Sequence, residues 1–258
     1  MYEKEIAAMK EAALKAEKKI LEVYATHFSV EIKSDDSPVT AADRGADAII
    51  REELGKAFPG YAFLTEESKD TKERLEKEFV FIVDPVDGTK EFVSRNGEFC
   101  TNIALCRNHE LVAGLINIPT KHIYYYAVKG EGAYRVDEMG RHRIHVSDRK
   151  DHLRVLRSIS FATPEEKAIV ERNQDKIESV TPRGAAVKFC LIAEGSAEVM
   201  IRTSLGTKEW DTAAGEIILE EAGGFMRKMD GSKYSYNRED VYNREPYELL
   251  NSLDNFLR

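Results

Sequence analysis

The period of the hydrophobic residues changes near residue 58, and this change constrains the fold more than any other feature of the sequence. Before it, residues 3–27 and a second segment ending near Ala57 carry apolar side chains at helical spacing. The break is Phe58-Pro59-Gly60, and short apolar runs separated by turn signals follow it, as is typical of strands. Helical and strand patterns then alternate, so the sequence predicts a layered α/β or α+β fold.

The spacing of apolar residues and the turn signals also predict the individual helices and strands. The second helix runs to about Ala57 and begins after a cap at Thr40 or Ser37, which follows a loop at Ser34–Pro38. Further helices are predicted at residues 164–177, 184–194 and 211–222. Strands are predicted within 61–68 and at 79–83, 99–106, 111–118, 123–128, 155–160, 197–201 and 223–227. The three strands between residues 99 and 128 are separated by turn signals, so we expect an antiparallel meander.

The domain organisation is expected to be a single domain spanning residues 1–258. No internal repeat and no Pro/Gly/Ser-rich linker divides the sequence. If the domain is divided, the polar stretch at residues 137–152 is the expected boundary. It would separate a half at 1–140, with two helices and the meander, from an alternating half at 150–258.

Charge and cysteine usage exclude several classes of function. The net charge of -8 argues against binding to nucleic acid, which requires a basic surface. No apolar run reaches the length of a membrane span and the N-terminus has no apolar signal core, so a cytoplasmic protein is predicted. The three cysteines lie in apolar contexts without metal-like spacing, which predicts buried free thiols in a reducing compartment.

Three acidic groups stand at the ends of predicted elements. Glu66-Glu67 follows the strand YAFL, Asp84 and Asp87 follow FVFIV, and Asp211 begins the helix DTAAGEIILEEAGG. Loops at strand ends are held by a rigid sheet, and oxygen ligands without histidine or cysteine suit a hard cation such as Mg²⁺. Two such cations about 4 Å apart can hold a phosphoryl group and activate water.

The stretch Asp84-Pro85-Val86-Asp87-Gly88-Thr89 is the hardest to interpret as ordinary structure. Asp211 alone would suit a helix N-cap, and Glu66-Glu67 alone would suit a solvated pair. A plain turn needs one Asx residue and a glycine, whereas here two acids follow a buried strand. Crowded acids repel one another unless a cation compensates them, so this stretch predicts a cation site.

The sequence resembles the Mg²⁺-dependent, lithium-sensitive inositol monophosphatase superfamily in three segments, TEES, DPVDGT and WDTAAGEIILEEAGG. Within it, SPVTAAD, DPVDGTKEF, RNGEFCTNIAL, KFCLIAEGSAE and EWDTAAG resemble the bacterial 3′(2′),5′-bisphosphate nucleotidases of the CysQ type. The resemblance implies an αβαβα sandwich of the inositol monophosphatase/fructose-1,6-bisphosphatase type. It also implies removal of the 3′-phosphate of 3′-phosphoadenosine 5′-phosphate, giving AMP, within sulfur metabolism.

The resemblance implies roles for individual residues. Metal ligands are implied at Glu67, Asp84, Val86 (through its carbonyl), Asp87 and Asp211. They would hold two Mg²⁺ ions, and a third, weakly bound ion would lie near Glu67. Thr89 would hydrogen-bond the attacking water, and Asp43 would hold Thr89 and accept its proton. Of the pair Glu66-Glu67, the resemblance implies Glu67 as the metal ligand. Glu67 would also contact the attacking water, which makes it a third catalytic residue. No role is assigned to Glu66.

The substrate is expected to contact the loops after the second and before the third motif. These contacts are assigned to Gly88, Thr89, Lys90, Gly184, Ala185, Lys188, Glu209 and Asp211. A helix opening at Gly184 would offer its first amides to the nucleotide or its 5′-phosphate. Arg183, Lys188, Arg202 and Lys208 are candidates for the same phosphate. The sequence departs from the branch at Ala185-Ala186, where serines are more usual. Lys90 and Glu91 are expected to serve the geometry of their loop, above a buried Phe92.

Two alternatives to the nucleotidase remain. One is an inositol or sugar (fructose 1,6-bisphosphate) phosphatase on the same scaffold. The other is a binding module with vestigial acids, which is disfavoured because every expected acid and Thr89 are present. The sequence leaves open whether the protein is a monomer or a homodimer.

Overall fold

The computed structural model describes residues 2–33 and 38–257, and the predicted loop and the alternative cap at Ser37 lie largely outside them. The helices are α1 (Glu3–Tyr24), α2 (Ala41–Ala57), α3 (Thr89–Val93), α4 (Pro164–Arg172), α5 (Val187–Ala193) and α6 (Glu209–Glu221). Thr40 caps α2, since its side chain accepts a hydrogen bond from the backbone N–H of Ala42. The capping prediction at Thr40 is therefore confirmed.

The larger sheet has seven strands and contains the predicted meander. After a small antiparallel ladder of β1 (Glu31–Ile32) and β2 (Pro38–Val39), its strands are β3 (Ala62–Thr65), β4 (Phe79–Asp87), β5 (Cys100–Arg107), β6 (Glu110–Ile118), β7 (Ile123–Val128), β8 (Gly132–Asp137) and β9 (Gly140–Ile144). They follow one another in sequence order across the sheet. β3 and β4 pair in parallel, and every later pair is antiparallel.

The smaller sheet has five strands in the order β11-β10-β12-β14-β13. They are β10 (Leu153–Ser158), β11 (Ile177–Arg183), β12 (Val199–Arg202), β13 (Phe225–Lys228) and β14 (Tyr247–Leu250). β10 pairs in parallel with both β11 and β12, whereas β14 pairs antiparallel with β12 and β13.

Three buried clusters define five layers. The apolar faces of α1 and α2 pack on one face of the larger sheet. α5 and α6 lie between the two sheets and share a cluster with both. α4 covers the opposite face of the smaller sheet, where Ile169 packs with Val155 and Ile201. The predicted αβαβα arrangement is thus confirmed. The division into two halves at residues 137–152 stays a prediction, although one cluster joins residues of both.

Several element predictions were wrong at their ends. The helix predicted at 164–177 ends at Arg172, because residues 177–183 pair with β10 instead. The helix predicted at 184–194 begins only at Val187, because Ala185 has a left-handed φ of 46°. The polar stretch that starts at residue 137 is partly a hairpin of β8 and β9. β9 is the edge strand of the larger sheet, and a strand with one face in solvent can be rich in polar residues. β8, β9, β11 and β14 were not predicted at all.

Other global predictions concern cysteines and membranes. Cys100, Cys106 and Cys190 are buried free thiols, as predicted. Across the described part of the chain, the helices are too short or too polar to traverse a bilayer.

Candidate active site

A cleft of about 500 Å³ opens where the two sheets meet α3 and α6. One wall consists of the end of β4 and the start of α3, and the other contains the loop after β11 and the segment after β12. Nine of the assigned residues line it, together with the unassigned Glu66: Asp84, Val86, Asp87, Gly88, Thr89, Lys90, Ala185, Lys188 and Asp211. The three acidic groups, which are far apart in sequence, therefore meet in one cavity.

Asp84, Asp87 and Asp211 form the acidic centre of the cleft, with ligand oxygens that all lie within 4.8 Å of one another. The register of β4 against β5 shifts between Asp84 and Asp87. This irregularity lets both side chains point to the same side, although regular strand residues three apart point to opposite sides. Asp211 arrives from the first turn of α6.

Burial makes this centre electrostatically unfavourable without a cation. Burial, followed by the charges of Glu66 and Asp87, raises the pKa of Asp84 well above its usual range. Burial also raises the pKa of Asp87, although the ammonium of Lys188 opposes the shift. For Asp211, burial and the neighbouring acids raise the pKa to about 8. These shifts have the same physical origin, which is negative charge crowded in a medium of low polarity.

The remaining contacts of the three acids leave room for metal ions. Oδ2 of Asp87 accepts hydrogen bonds from the backbone N–H of Ala186 at 2.6 Å and from Nδ2 of Asn102 at 3.2 Å. Oδ2 of Asp211 accepts from the backbone N–H of Lys208 at 2.5 Å. Oδ1 of Asp84 accepts from the backbone N–H of Val86 at 3.1 Å. Each acid is thus fixed through one oxygen, and an all-oxygen set of one buried and two half-buried carboxylates fits Mg²⁺.

The structure places Glu66, and not Glu67, in the cleft, so the assignment of Glu67 does not match the geometry. Glu66 is among the residues lining the cavity, and its charge raises the pKa of both Asp84 and Asp211. The Glu67 carboxylate is outside the lining and is paired with Lys33. Lys33 also contacts Oε1 of Glu66 at 2.9 Å.

Strand alternation explains this placement and was visible in the sequence. Leu64 and Ile82 face the layer of α5 and α6, whereas Phe63 and Val83 face α1 and α2. Continued alternation sends Glu66 to the face of Leu64, which is also the face of Asp84 two residues after Ile82. Counting from the buried strand residues would therefore have selected the first acid of TEES.

Thr89 and Asp43 meet at the edge of the acidic centre, as predicted. Oγ1 of Thr89 lies 3.2 Å from Oδ1 of Asp43 and 3.2 Å from the carbonyl oxygen of Val86. Asp43 is buried in the first turn of α2, and its Oδ2 accepts from the backbone N–H and the hydroxyl of Thr40. Burial raises the pKa of Asp43, against the effect of these hydrogen bonds.

Two assigned substrate contacts are already used inside the protein. The Glu209 side chain is fully buried, and it accepts hydrogen bonds from the backbone N–H groups of Asn237 at 2.6 Å and Arg238 at 2.8 Å. It fixes the loop after β13 and does not line the cleft. The N–H of Gly184 donates to Oε2 of Glu98 at 2.5 Å. No helix begins there, so the predicted amide site at Gly184 was wrong.

Ala185 and Lys188 do line the cleft, but Lys188 is largely internal. Its Nζ donates to the carbonyl oxygens of Ala185 at 2.6 Å and Arg183 at 3.2 Å. Burial lowers the pKa of Lys188, and the charge of Asp87 opposes that effect. Lys188 therefore compensates Asp87 and shapes the loop before α5.

The aromatic residue of the wall on the other side of the cleft, Phe161, was missed by the sequence analysis, whereas its basic neighbours Lys90 and Arg202 were among the predicted contacts. Phe161 lines the cleft and is 42% exposed, with Nζ of Lys90 4.2 Å from its ring centre and Cζ of Arg202 5.1 Å from it. Phe161 follows β10 in a stretch without a motif, so no local signal indicated it. Glu91 and Phe92 are buried, and Oε1 of Glu91 accepts from Oγ of Ser160 at 2.7 Å.

Comparisons with known proteins agree with this geometry. The model of the inositol monophosphatase family matches residues 1–253. The 3′(2′),5′-bisphosphate nucleotidase CysQ of Salmonella typhimurium is 37% identical over 226 residues, covering 86% of this chain and 90% of that protein. CysQ of Escherichia coli strain K12 is 35% identical with the same coverage.

A solved structure, that of CysQ from Bacteroides thetaiotaomicron, matches with a TM-score of 0.82 at 36% identity. The match covers 95% of this chain and 97% of that one. Family membership, the fold and a phosphatase activity, all predicted from the sequence, are confirmed by these matches together. The chain belongs to the inositol monophosphatase family.

Proposed function

We propose that the protein removes the 3′-phosphate of 3′-phosphoadenosine 5′-phosphate in a Mg²⁺-dependent reaction. The observation that carries the proposal is that one cleft joins a carboxylate centre to an exposed aromatic ring flanked by two cations, Lys90 and Arg202. A nucleotide with two phosphates presents a scissile phosphate, a flat base and a second anion. The CysQ relatives, named as nucleotidases for this class of substrate, support the same choice.

The metal ligands are proposed to be Glu66, Asp84, the Val86 carbonyl, Asp87 and Asp211. Glu66 replaces Glu67 in the set assigned by resemblance, because Glu66 lines the cleft. We propose two Mg²⁺ ions, and a third, weaker one beside Glu66. When bound, Mg²⁺ supplies positive charge that lowers the pKa of water and neutralises phosphate oxygens.

Thr89 and Asp43 are proposed to handle the proton of the attacking water. Oγ1 of Thr89 donates its own proton to Asp43, so its lone pairs are free to accept a hydrogen bond from water. This contact orients the water oxygen towards the phosphate. Because Thr40 holds the other oxygen of Asp43, the acceptor cannot turn away during the reaction.

The scissile phosphate is proposed to lie against Gly88 and Thr89. Gly88 has φ 89°, and a Cβ there would approach Cβ of Ala185 to 3.0 Å. The glycine thus allows both a left-handed turn and a close approach of the two walls.

Substrate choice is proposed to depend on Phe161 and Arg202. The adenine base would stack on the exposed ring, while Arg202 and Lys90 would bind the 5′-phosphate. Inositol 1-phosphate carries neither a base nor a second phosphate, so it would leave this wall unused.

A panel of phosphate-release assays tests the function. The substrates are 3′-phosphoadenosine 5′-phosphate, inositol 1-phosphate and fructose 1,6-bisphosphate, each with Mg²⁺ and with a chelator. We expect a much higher kcat/KM for the nucleotide and no turnover with the chelator. Equal or reversed preference would assign the protein to the inositol or sugar phosphatases of the same scaffold.

The protein is further proposed to act in the cytoplasm. The three buried free thiols suit a reducing compartment. Localisation of the tagged full chain by fractionation tests this placement.

A further inference from the structure

Asp47 is a buried acid that the proposed mechanism does not use. It is 5% exposed and lies one helical turn after Asp43 in α2, so the two aspartates share one face of the helix. Within the described residues, Oδ1 of Asp47 is buried without a hydrogen-bond partner. A carboxylate that is buried with one oxygen unpartnered lowers the stability of the fold, so stability does not account for an acid at this position.

The other oxygen of Asp47 holds the turn that carries Glu66. Oδ2 of Asp47 accepts a hydrogen bond from the hydroxyl of Ser68 at 2.9 Å. The same hydroxyl accepts an N–H of Arg51 at 2.8 Å, so its single proton is directed to Asp47. The Arg51 side chain is 49% exposed, and a contact so open to solvent contributes little. Asp47 therefore provides the main contact from α2 to this turn.

The two ends of the turn are fixed by different elements. The backbone N–H of Glu66 donates to the carbonyl oxygen of Val83 in β4 at 3.2 Å. Ser68, two residues later, is held by α2. With only the first contact, the turn can rotate, and Lys33, which pairs with both Glu66 and Glu67, can draw either acid away from the cleft. The second contact removes this freedom.

We propose that Asp47 is the positioning residue for the metal ligand Glu66 and acts through Ser68. It holds the turn after β3 so that the Glu66 carboxylate stays in the cleft. One face of α2 then fixes two parts of the active site, because Asp43 holds the hydroxyl of Thr89 while Asp47 holds the metal-binding turn. The inference rests on the proposed function, in which Glu66 binds Mg²⁺.

Calorimetric titration of Mg²⁺ into the full chain tests this role without turnover. We expect Asp47→Ala to weaken Mg²⁺ binding by about tenfold, as is usual when a group that orients a metal ligand is lost. Asp47→Asn keeps an oxygen that accepts from Ser68, so it should bind Mg²⁺ almost as the wild type does. Ser68→Ala should match Asp47→Ala, and the double variant should bind no more weakly than either single variant, because both act through one contact.

Kinetics distinguish a positioning role from a merely structural one. Asp47→Ala should raise the Mg²⁺ concentration for half-maximal nucleotide hydrolysis about tenfold, and kcat at saturating Mg²⁺ should stay near the wild-type value. A residue that only stabilises the fold would lower the free energy of unfolding in urea and leave the Mg²⁺ affinity unchanged. Glu52→Ala, on the exposed face of the same helix, is the matched control.

Two comparisons decide the outcome. Wild-type Mg²⁺ affinity in Asp47→Ala, beside a loss in Glu66→Gln, would overturn this proposal alone. Unchanged affinity in Glu66→Gln would overturn the proposed ligand set and this proposal with it. Weakening in Asp47→Asn as large as in Asp47→Ala would also contradict the role, because it would assign the effect to charge and not to the hydrogen bond. If Asp47→Ala does not fold, Ser68→Ala, which removes one hydroxyl, carries the test.

Discussion

The hydroxyl of Thr89 donates a hydrogen bond at 3.2 Å to Asp43, a residue 46 positions earlier in the chain. Asp43 belongs to the capping box of α2, in which Thr40 donates to its other oxygen from both backbone and side chain. One carboxylate thus caps a helix and holds the hydroxyl that we assign to the attacking water. The helix start fixes the position of the acceptor, so the water-orienting group is positioned before substrate binds.

Asp43→Asn should lower kcat for the nucleotide by a factor of about 10² or more, because the amide accepts a proton far less readily than the carboxylate. KM should change little, since Asp43 does not line the cleft. Steady-state kinetics with saturating Mg²⁺ measure both. Glu52→Gln, on the exposed face of the same helix, is the control. A normal kcat in Asp43→Asn would remove Asp43 from the reaction.

Glu66→Gln should weaken Mg²⁺ binding by about tenfold or more, because it removes a carboxylate from the cleft. Glu67→Gln should have a smaller effect, since that carboxylate lies outside the cleft and pairs with Lys33. The measurement is the Mg²⁺ concentration that gives half-maximal activity in each variant. A larger shift for Glu67→Gln than for Glu66→Gln would restore the assignment made by resemblance.

Phe161→Ala should raise KM for 3′-phosphoadenosine 5′-phosphate about tenfold, which is the size expected for losing one base–aromatic stack. The rate with inositol 1-phosphate should stay unchanged, because that substrate has no base. Comparing kcat/KM for both substrates separates recognition from damage to the acidic centre. Ile159→Ala, two residues earlier and also exposed, is the matched control. Equal losses on both substrates would contradict a role in base recognition.

Glu216 should make the stability of the protein depend on pH. It is buried in α6, where its Oε2 accepts from the hydroxyl of Tyr236 at 2.5 Å, and burial raises its pKa to about 7 from a usual 4.5. The folded state therefore keeps a proton that the unfolded state loses, and the free energy of unfolding falls as pH rises from about 4.5 to about 7. The shift corresponds to about 3 kcal/mol.

Glu216→Gln removes this titration and should make the stability profile less steep in the same window, while Asp84, Asp87 and Asp211, whose pKa values are also raised, keep part of the slope. Urea unfolding at pH 5, 6 and 7.5, with the chelator present, measures the slope for wild type and variant. An unchanged slope in the variant would mean that other groups carry the pH dependence.

The order of elements was largely predictable because periodicity is a local property. The helices α1 and α2, the meander from β5 to β7, and the strand before Asp84 all follow from apolar spacing. The missed strands β8, β9, β11 and β14 carry weaker patterns and form because neighbouring strands supply their hydrogen bonds. Prediction from local sequence is limited in the same way at Gly184, because its backbone N–H donates to Glu98, which is 86 residues away in the chain.

The sequence by itself determined the chemistry of the site, since acids at the ends of buried runs fix an oxygen-rich centre wherever the chain brings them together. Only the tertiary structure decided which oxygens face the cleft. It turned Glu66 inward and Glu67 towards Lys33, committed Glu209 to the backbone of Asn237, and set Phe161 between Lys90 and Arg202. Residue type is a local property. The direction of a side chain, and which of its hydrogen-bonding atoms remain available, depend on partners that are distant in sequence.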